Sequence, residues 1–502
     1  MAPAGQLTMA PAIVPALDAI FKAHAVRNPD AIALIDPPDC ERMTGEAPRR
    51  LTYLQADRAV GAIAARLHEI GLAPGTVVGV QMPNVAIAVL TMLAIMRAGM
   101  IAAPLPLLWR RTDCVAALSE AGARAIVTCG QVAGFDHAAL ALEIAAELFP
   151  IRAVCGFGCA TTDGIIPFDD LLSGSDEHPD AILFQETTDA SFALVTFETT
   201  ADGIMPVARD TAQLLTAGRL VRQRSGIAPN AVILSTLPAT TFAGISAALV
   251  PWLLSGGTLV LHHPFDPDVL RDQIARERCD ALVVPDAMLS GLCATPWLES
   301  GNVSSVIAVW RAPERLAAAA QWTNLDAALV DVAAFGETAL LAARRAPSGR
   351  TLPWPVGPLT IANGGAECAH VAITPGGTLG IRGALVASRF TPYEVDAVAE
   401  PSAASGHIDT GYGCRMIADD NALVVTTPPV GLIAVGGYRF AMHDLQHMVR
   451  GIDGNSVLAA LPHALAGHRL AGHATDPVTM REMLQTMGVN PLLTAAFRDR
   501  AA

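Results

Sequence analysis

The sequence predicts an α/β protein with a large N-terminal body of layered α/β subdomains, a β-rich subdomain and a small α+β C-terminal domain. Strand-like and helix-like segments alternate from residue 50 to residue 310, which favours mostly parallel sheets covered by helices. Over residues 350–430 Gly, Pro and Thr increase and helical periodicity fades. Hydrophobic residues make up 52% of the 502 residues, enough for a large core.

The N-terminal elements carry local signals. Thr52 and Gln55 form a capping-box pattern before a run with helical spacing, which Gly71 ends. Val77–Gln81 is typical of a buried strand and Val85–Ala98 of a buried helix. Further predicted strands are Ala125–Thr128, Ala193–Thr196, Val232–Thr236, Thr258–His262, Ala281–Val284 and Val306–Val309.

A domain boundary is predicted at the adjacent prolines Pro428 and Pro429, because two prolines in a row continue neither a helix nor an interior strand. Residues 1–429 would form the N-terminal domain, with the β-rich subdomain at about 350–429. Residues 430–502 would form a shortened C-terminal domain.

Charge and patterning exclude several functional classes. The net charge of −14 makes an acidic protein and disfavours nucleic acid or an anionic membrane as partner. The most apolar window, Val85–Met96, is too short to span a bilayer and is closed by Arg97. The N-terminus lacks the basic region of a signal peptide and the nine cysteines are scattered singly. These features predict a cytoplasmic protein.

The basic residues are unevenly divided. Of the 33 lysines and arginines, only Lys22 is a lysine. This count excludes any mechanism that needs two lysines, or one lysine far from the N-terminus.

Several segments match known motifs in order along almost the whole chain. They are LTYLQADRAV with its continuation to residue 84, AIMRAGMIAAPLPLLWRR at 94–111, LSTLPATTFAG at 234–244, AAFGETA at 333–339, GGTLGIRG at 376–383, HIDTGY at 407–412 and GLIAVGGYRF at 431–440. This series resembles the adenylate-forming superfamily, which includes acyl-CoA synthetases, luciferases and nonribosomal-peptide adenylation domains. The resemblance implies a large body with a mobile C-terminal lid, and activation of a carboxylate with ATP and Mg²⁺ before transfer to coenzyme A.

The positions that the resemblance aligns with catalytic residues are degenerate. Glu198 stands where the phosphate loop has a glycine, and Ile204 stands near its lysine. Ala339 replaces the metal-binding glutamate and Tyr412 the ribose-binding aspartate. Arg498 is the nearest candidate for the missing lysine of the lid, although its forked guanidinium is not equivalent to an ammonium group.

A vestigial nucleotide site remains in the pattern. A shift by one position usually reorients a side chain, so Glu337 is a weak substitute for the lost glutamate, and no metal ligand set is predicted. The residues assigned to this site are Thr199, Thr200, Gly336, Glu337, Thr338 and Thr410.

Two functions follow from the pattern. The first is a catalytically degenerate homologue of acyl-CoA synthetases that no longer adenylates and instead binds an acyl or aryl carboxylate or CoA ligand, or an active paralogue or other protein. The alternative is a divergent acid–thiol ligase that still forms an acyl-adenylate. ATP or AMP, Mg²⁺ and CoA are cofactors only in that second case. Base rates favour a homodimer.

Overall fold

The computed structural model describes residues 14–172, 192–294, 298, 302–324, 326–361, 365–392, 406–417, 420–463 and 466–498. The helices are α1 Leu17–Arg27, α2 Cys40–Thr44, α3 Tyr53–Glu69, α4 Ala86–Arg97, α5 Arg111–Glu120, α6 His137–Glu147, α7 Thr211–Ser225, α8 Phe242–Gly244, α9 Val250–Ser255, α10 Pro267–Glu277, α11 Leu289–Ala294, α12 Met442–Ile452, α13 Pro477–Met487 and α14 Pro491–Thr494. A π-helical turn, Ile245–Leu249, joins α8 to α9.

The strands belong to four larger sheets and one small hairpin. The first half of the chain contributes β1 Ile32–Ile35, β2 Arg50–Thr52, β3 Val77–Gln81, β4 Ile101–Pro104, β5 Ala125–Cys129, β6 Gln131–Val132, β7 Phe135–Asp136, β8 Ala153–Phe157, β9 Ile166–Pro167, β10 Phe192–Thr200, β11 Gly203–Asp210, β12 Val232–Ser235 and β13 Thr258–Leu261. The second half contributes β14 Ala281–Pro285, β15 Ser305–Trp310, β16 Ala328–Phe335, β17 Ala339–Arg344, β18 Trp354–Pro355, β19 Gly357–Thr360, β20 Glu367–Ile373, β21 Thr378–Arg382, β22 Ser388–Arg389, β23 Ile408–Ile417, β24 Ala422–Thr427, β25 Leu432–Val435, β26 Tyr438–Ala441, β27 Val457–His463 and β28 Gly467–His473.

Two eight-stranded sheets form the body. The first has the order β17-β16-β15-β14-β12-β13-β1-β2 and the second β22-β11-β10-β4-β3-β5-β8-β9. In the first sheet the strands from β16 to β1 pair in parallel, and the two edge strands β17 and β2 are antiparallel to their neighbours. In the second sheet the strands from β10 to β9 pair in parallel, whereas β11 and β22 at the other edge are joined by antiparallel pairs. The predicted parallel sheets covered by helices are therefore confirmed.

Local signals in the sequence account for several boundaries. The Thr52 side chain accepts from the amide of Gln55, whose side chain accepts from the amide of Thr52, so α3 begins at the predicted capping box. Gly71, just after α3, has a φ of +88°, a conformation that glycine adopts readily. The helix α4 is buried on every side, as its continuous apolar sequence predicts.

The β-rich region is a six-stranded sheet of order β18-β24-β23-β21-β20-β19, in which all pairs are antiparallel. It falls within the predicted subdomain. The last sheet, β26-β25-β28-β27, packs with α12 and α13 around a separate cluster of buried side chains that includes Val449, Leu484 and Phe497. The mixed α/β class is thus confirmed, whereas the boundary at Pro429 stays a prediction.

Candidate functional site

A central cavity of about 550 Å³ lies at the carboxyl ends of parallel strands in the first sheet. Segments that follow β12, β13, β14, β15 and β16 contribute to its wall, and the β25–β26 hairpin closes it from the other side. Ligands of open α/β sheets commonly bind at this edge, because the connecting segments there leave crevices. The position and size therefore identify the cavity as the candidate site.

One part of the cavity wall is apolar. The rings of Trp109 and Phe197 lie 5.8 Å apart in a tilted arrangement, and both side chains are buried. Aliphatic side chains extend this wall, and the set comprises Pro104, Pro106, Leu107, Leu108, Leu237, Pro238 and Ala243. Such a surface suits the body of an aromatic or aliphatic ligand.

The segment aligned with the phosphate loop is a tight β-hairpin. The strands β10 and β11 stay paired up to Thr200 opposite Gly203, so only Ala201 and Asp202 form the turn. Within it the Thr200 hydroxyl donates to the carbonyl of Gly203 and accepts from the amide of Asp202. Both hydrogen bonds of the Thr200 hydroxyl are therefore made within the hairpin.

Glu198 on β10 points at the turn between β16 and β17. Its Oε2 accepts from the amide of Glu337 at 2.5 Å, and from the amide and hydroxyl of Thr338 at 3.1 and 3.2 Å. Gly336 has a φ of +62°, and a side chain there would collide with the Glu198 carboxylate. Glycine at 336 therefore allows the carboxylate to approach the backbone closely.

Arg439 on β26 supplies the counter-charge. Its Nη1 lies 2.5 Å from Glu198 Oε1, and Nη2 donates to the hydroxyl of Tyr412. Tyr412 is 2% exposed and its ring packs edge-on against Phe335 at 5.3 Å. Burial raises the pKa of Tyr412, so its hydroxyl stays neutral and can accept from the guanidinium.

A second arginine, Arg209 on β11, contacts the carbonyl groups of the same turn. It is 1% exposed, donates to the carbonyls of Glu337 and Thr338, and stacks its guanidinium 3.4 Å above the centroid of the Phe242 ring. Burial lowers the pKa of Arg209, while the carboxylates of Glu337 and Glu198 raise it. The turn is therefore fixed both by a carboxylate at its amides and by a cation at its carbonyls.

Glu337 and Arg311 border the open part of the cavity. Glu337 Oε2 accepts from the amide of Phe242 at 2.7 Å, and burial raises the pKa of this carboxyl group. Arg311 follows β15 and donates to Thr241 Oγ1 at 2.7 Å and to the carbonyl of Gly437 at 2.6 Å. It thus bridges the first sheet and the β25–β26 hairpin.

The structure brings together some of the predicted residues and separates others. Thr199, Gly336 and Glu337 line the cavity, and Thr338 holds Glu198. Thr200 is engaged in the hairpin turn, whereas the hydroxyl of Thr410 donates to the carbonyl of Leu379.

The four positions that the resemblance aligns with catalytic residues lie in different surroundings. Tyr412 contacts Arg439 at the charged end of the cavity. Ala339 is buried at the start of β17, and Ile204 is half-buried on β11 opposite Thr199. Arg498 lies exposed after the last helical turn and is not among the described residues that line the cavity.

Three arginines of the site, Arg209, Arg311 and Arg439, were not predicted from the sequence. A signal for Arg439 was present, since a buried glutamate in place of a glycine needs a counter-charge. Arg439 also lies in the GLIAVGGYRF segment, one of the matched motifs. Which arginine supplies the charge depends on contacts between distant parts of the chain.

Two further features concern metal binding and membrane association. Over the described ranges, no group of three or more His, Cys, Asp or Glu side chains is arranged to hold a metal ion. In the same part of the chain, no helix has both the length and the apolar character needed to cross a membrane.

Comparison with known proteins agrees with the motif series. A family model described as AMP-binding enzyme matches residues 21–343. The chain is 25% identical over 262 residues to a feruloyl-CoA synthase from Amycolatopsis, covering 51% of this chain and 48% of that protein. It is 24% identical over 274 residues to 4-coumarate--CoA ligase 3 from Arabidopsis thaliana, covering 53% and 46%. The matches thus span about half the length of these relatives.

A solved structure shows the same fold over most of the chain. The amide bond synthetase McbA from Marinactinospora thermotolerans superposes with a TM-score of 0.69 at 17% identity and covers 94% of both chains. The family match covers more than half of the residues, in the region that builds most of the cavity. The chain therefore belongs to the AMP-binding enzyme family of the adenylate-forming superfamily.

Proposed function

We propose that this protein is a catalytically degenerate member of its family, which binds an acyl or aryl carboxylate in the central cavity and does not form an acyl-adenylate. The observation that carries the proposal is the Glu198 carboxylate. It occupies the amides of the 336–338 turn and is paired with Arg439. The resemblance assigns this part of the site to the polyphosphate.

Electrostatics supports this proposal. Two like charges about 4 Å apart repel by about 1 kcal/mol in water, and by more where solvent is partly excluded. Glu198 is 6% exposed, so a phosphate placed beside it would meet a poorly screened negative charge. The pairing with Arg439 at 2.5 Å weakens this repulsion, but it leaves no net positive charge to attract a phosphate, and the carboxylate already occupies the turn amides.

The metal and ribose positions support the same conclusion. Ala339 presents a methyl group where the resemblance places the metal-binding carboxylate. Tyr412 is a buried neutral phenol where it places the ribose-binding carboxylate. Glu337 is held by the amide of Phe242, and burial favours its protonated form. The residues present therefore do not fit ATP with Mg²⁺, and no step through these groups is assigned.

Several further features are proposed with this function. The printed names of the relatives include feruloyl- and 4-coumarate--CoA ligases, which favours an aryl or acyl acid as ligand. We also propose a cytoplasmic location, a homodimeric state and an active paralogue or another protein as partner, and we place the boundary of the C-terminal domain at Pro429.

The test is ATP–pyrophosphate exchange with a panel of carboxylic acids, with Arabidopsis 4-coumarate--CoA ligase 3 as the active control. We expect no exchange above background with any acid, and no thermal stabilisation by ATP with Mg²⁺. A ligand at 100 times its dissociation constant stabilises by about 2.7 kcal/mol, so binding without turnover is measurable. Robust exchange would instead establish the alternative, a divergent acid–thiol ligase.

A further inference from the structure

The charged side chains around the central cavity differ in whether they contact an opposite charge. Three arginines, Arg311, Arg315 and Arg439, and three acids, Glu198, Asp286 and Glu337, line it. Arg439 and Glu198 neutralise each other by direct contact. Burial raises the pKa of both remaining carboxyl groups, that of Asp286 to about 6. Arg315 opposes the shift at Asp286, and Arg311 opposes the shift at Glu337. Among the described residues no carboxylate contacts the Arg311 guanidinium directly, so its donors stay available to an anion.

Arg311 is the cation best placed to receive an anion. A guanidinium carries five N–H donors, and in the described part of the chain two of them contact the neutral oxygens of Thr241 and Gly437. These two bonds hold the guanidinium in a fixed orientation at the cavity wall. A fixed planar fork with spare donors matches a carboxylate in a bidentate manner.

The rest of the cavity defines the remainder of the ligand. Trp109 and Phe197 form an aromatic wall, and Leu107 and Pro238 extend it. A volume of about 550 Å³ accommodates a small organic acid with an apolar body. His263 also borders the cavity, and burial lowers its pKa to about 4, so it is neutral near pH 7 and adds no competing charge.

Resting on the proposed function, we infer that Arg311 selects the ligand by its free carboxylate, so that the cavity retains the unmodified acid and discriminates against its amide and its thioester. Arg311 is thus a specificity-determining residue of a site that sequesters free aryl or acyl acids. A hydrogen bond to a charged group is worth about 1.5–3 kcal/mol, which corresponds to about 10–100-fold in affinity.

The test is isothermal titration of the full chain at pH 7 with cinnamate and octanoate, each beside its primary amide. We expect each acid to bind at least about 10-fold more tightly than its amide. Arg311→Gln should remove this difference, while Arg311→Lys should restore part of it. Arg271→Gln, which removes an exposed cation that does not line the cavity, is the control and should keep the preference for acids.

The outcomes separate this inference from the proposed function. Equal binding of acid and amide to the wild-type protein, or no binding of either acid, would overturn the role of Arg311. This outcome is measured on the wild-type protein alone, so it does not depend on whether the variants fold. An acid affinity that Arg311→Gln leaves unchanged would do the same. Pyrophosphate exchange together with a preference for acids would overturn only the non-adenylating function, because the two readouts are independent.

Discussion

The two ends of the central cavity differ in whether their side chains bind one another or border open space. At the charged end, Glu198, Arg439 and Tyr412 bind one another and the 336–338 turn. At the apolar end, Trp109 and Phe197 border open space. The protein's own side chains thus satisfy the end to which the resemblance assigns the nucleotide, and they leave free the end that suits an organic acid.

The largest effect is expected from breaking the ion pair. Arg439→Ala leaves the Glu198 carboxylate buried without its partner, and such changes cost about 3–5 kcal/mol. Urea denaturation should show this as a lower free energy of unfolding. The double variant Glu198→Gln/Arg439→Ala should recover much of the loss, because the uncompensated charge is then absent.

The control for this comparison is an exposed pair. Arg271 lies 2.9 Å from Asp268, and the two side chains are 44% and 78% exposed. Arg271→Ala should cost less than about 1 kcal/mol, since solvent screens the pair. If Arg439→Ala lowered the free energy of unfolding no more than Arg271→Ala, Glu198 and Arg439 would not form a strongly coupled buried pair.

A smaller effect is expected from Gly336→Ala. The φ of +62° alone costs a residue with a side chain about 1–2 kcal/mol, and the new methyl group would also collide with Glu198 and Arg439. Gly377→Ala is the matched control, because Gly377 has a φ of +78° and open space around it. Thermal denaturation should therefore show a larger loss for position 336 than for position 377.

The close approach of Glu198 can be tested in the same series. In a Glu198→Ala background the carboxylate that blocks a side chain at 336 is absent. The additional cost of Gly336→Ala should then fall towards the cost measured at 377. A cost at 336 that is independent of Glu198 would contradict the packing argument and leave only backbone strain.

Local signals made most of the fold predictable from the sequence. The capping box at Thr52, the continuous apolar run of α4 and the short apolar strands each depend on neighbouring residues. The ion pair between Glu198 and Arg439 joins residues 241 positions apart, and neither periodicity nor spacing encodes such a contact. Composition suggested only that the family's lysines were absent, and gave no indication that arginines would instead satisfy the site from within.

The position of the C-terminal residues also depends on packing that the local sequence does not reveal. Sequence order made Arg498 the nearest candidate for the lid lysine, but the preceding Phe497 is 1% exposed in the core of the last sheet and its helices. That packing leaves Arg498 exposed after the last helical turn. Arg439 reaches the cavity instead because β26 follows directly from the tight turn at Gly436 and Gly437, whose φ values are +56° and +87°.

The smallest expected effect concerns the open end and depends on pH. Burial raises the pKa of Asp286 from its ordinary 3.8 to about 6, although Arg315 opposes the shift. Between pH 4 and 6 the folded protein therefore binds more protons at this group than the unfolded chain, and stability from this group falls as pH rises. Asp286→Asn removes that dependence, so the variant should gain stability over the wild type as pH rises from 4 to 7.

Comparison with the wild type isolates the effect of this single carboxyl group. His263, with a pKa lowered to about 4, stabilises the folded state increasingly as pH rises, but it is present in both proteins and cancels in the difference. A constant difference for Asp286→Asn would mean that Asp286 is solvated like a surface residue, and that the open end of the cavity is filled by water rather than kept for an apolar ligand.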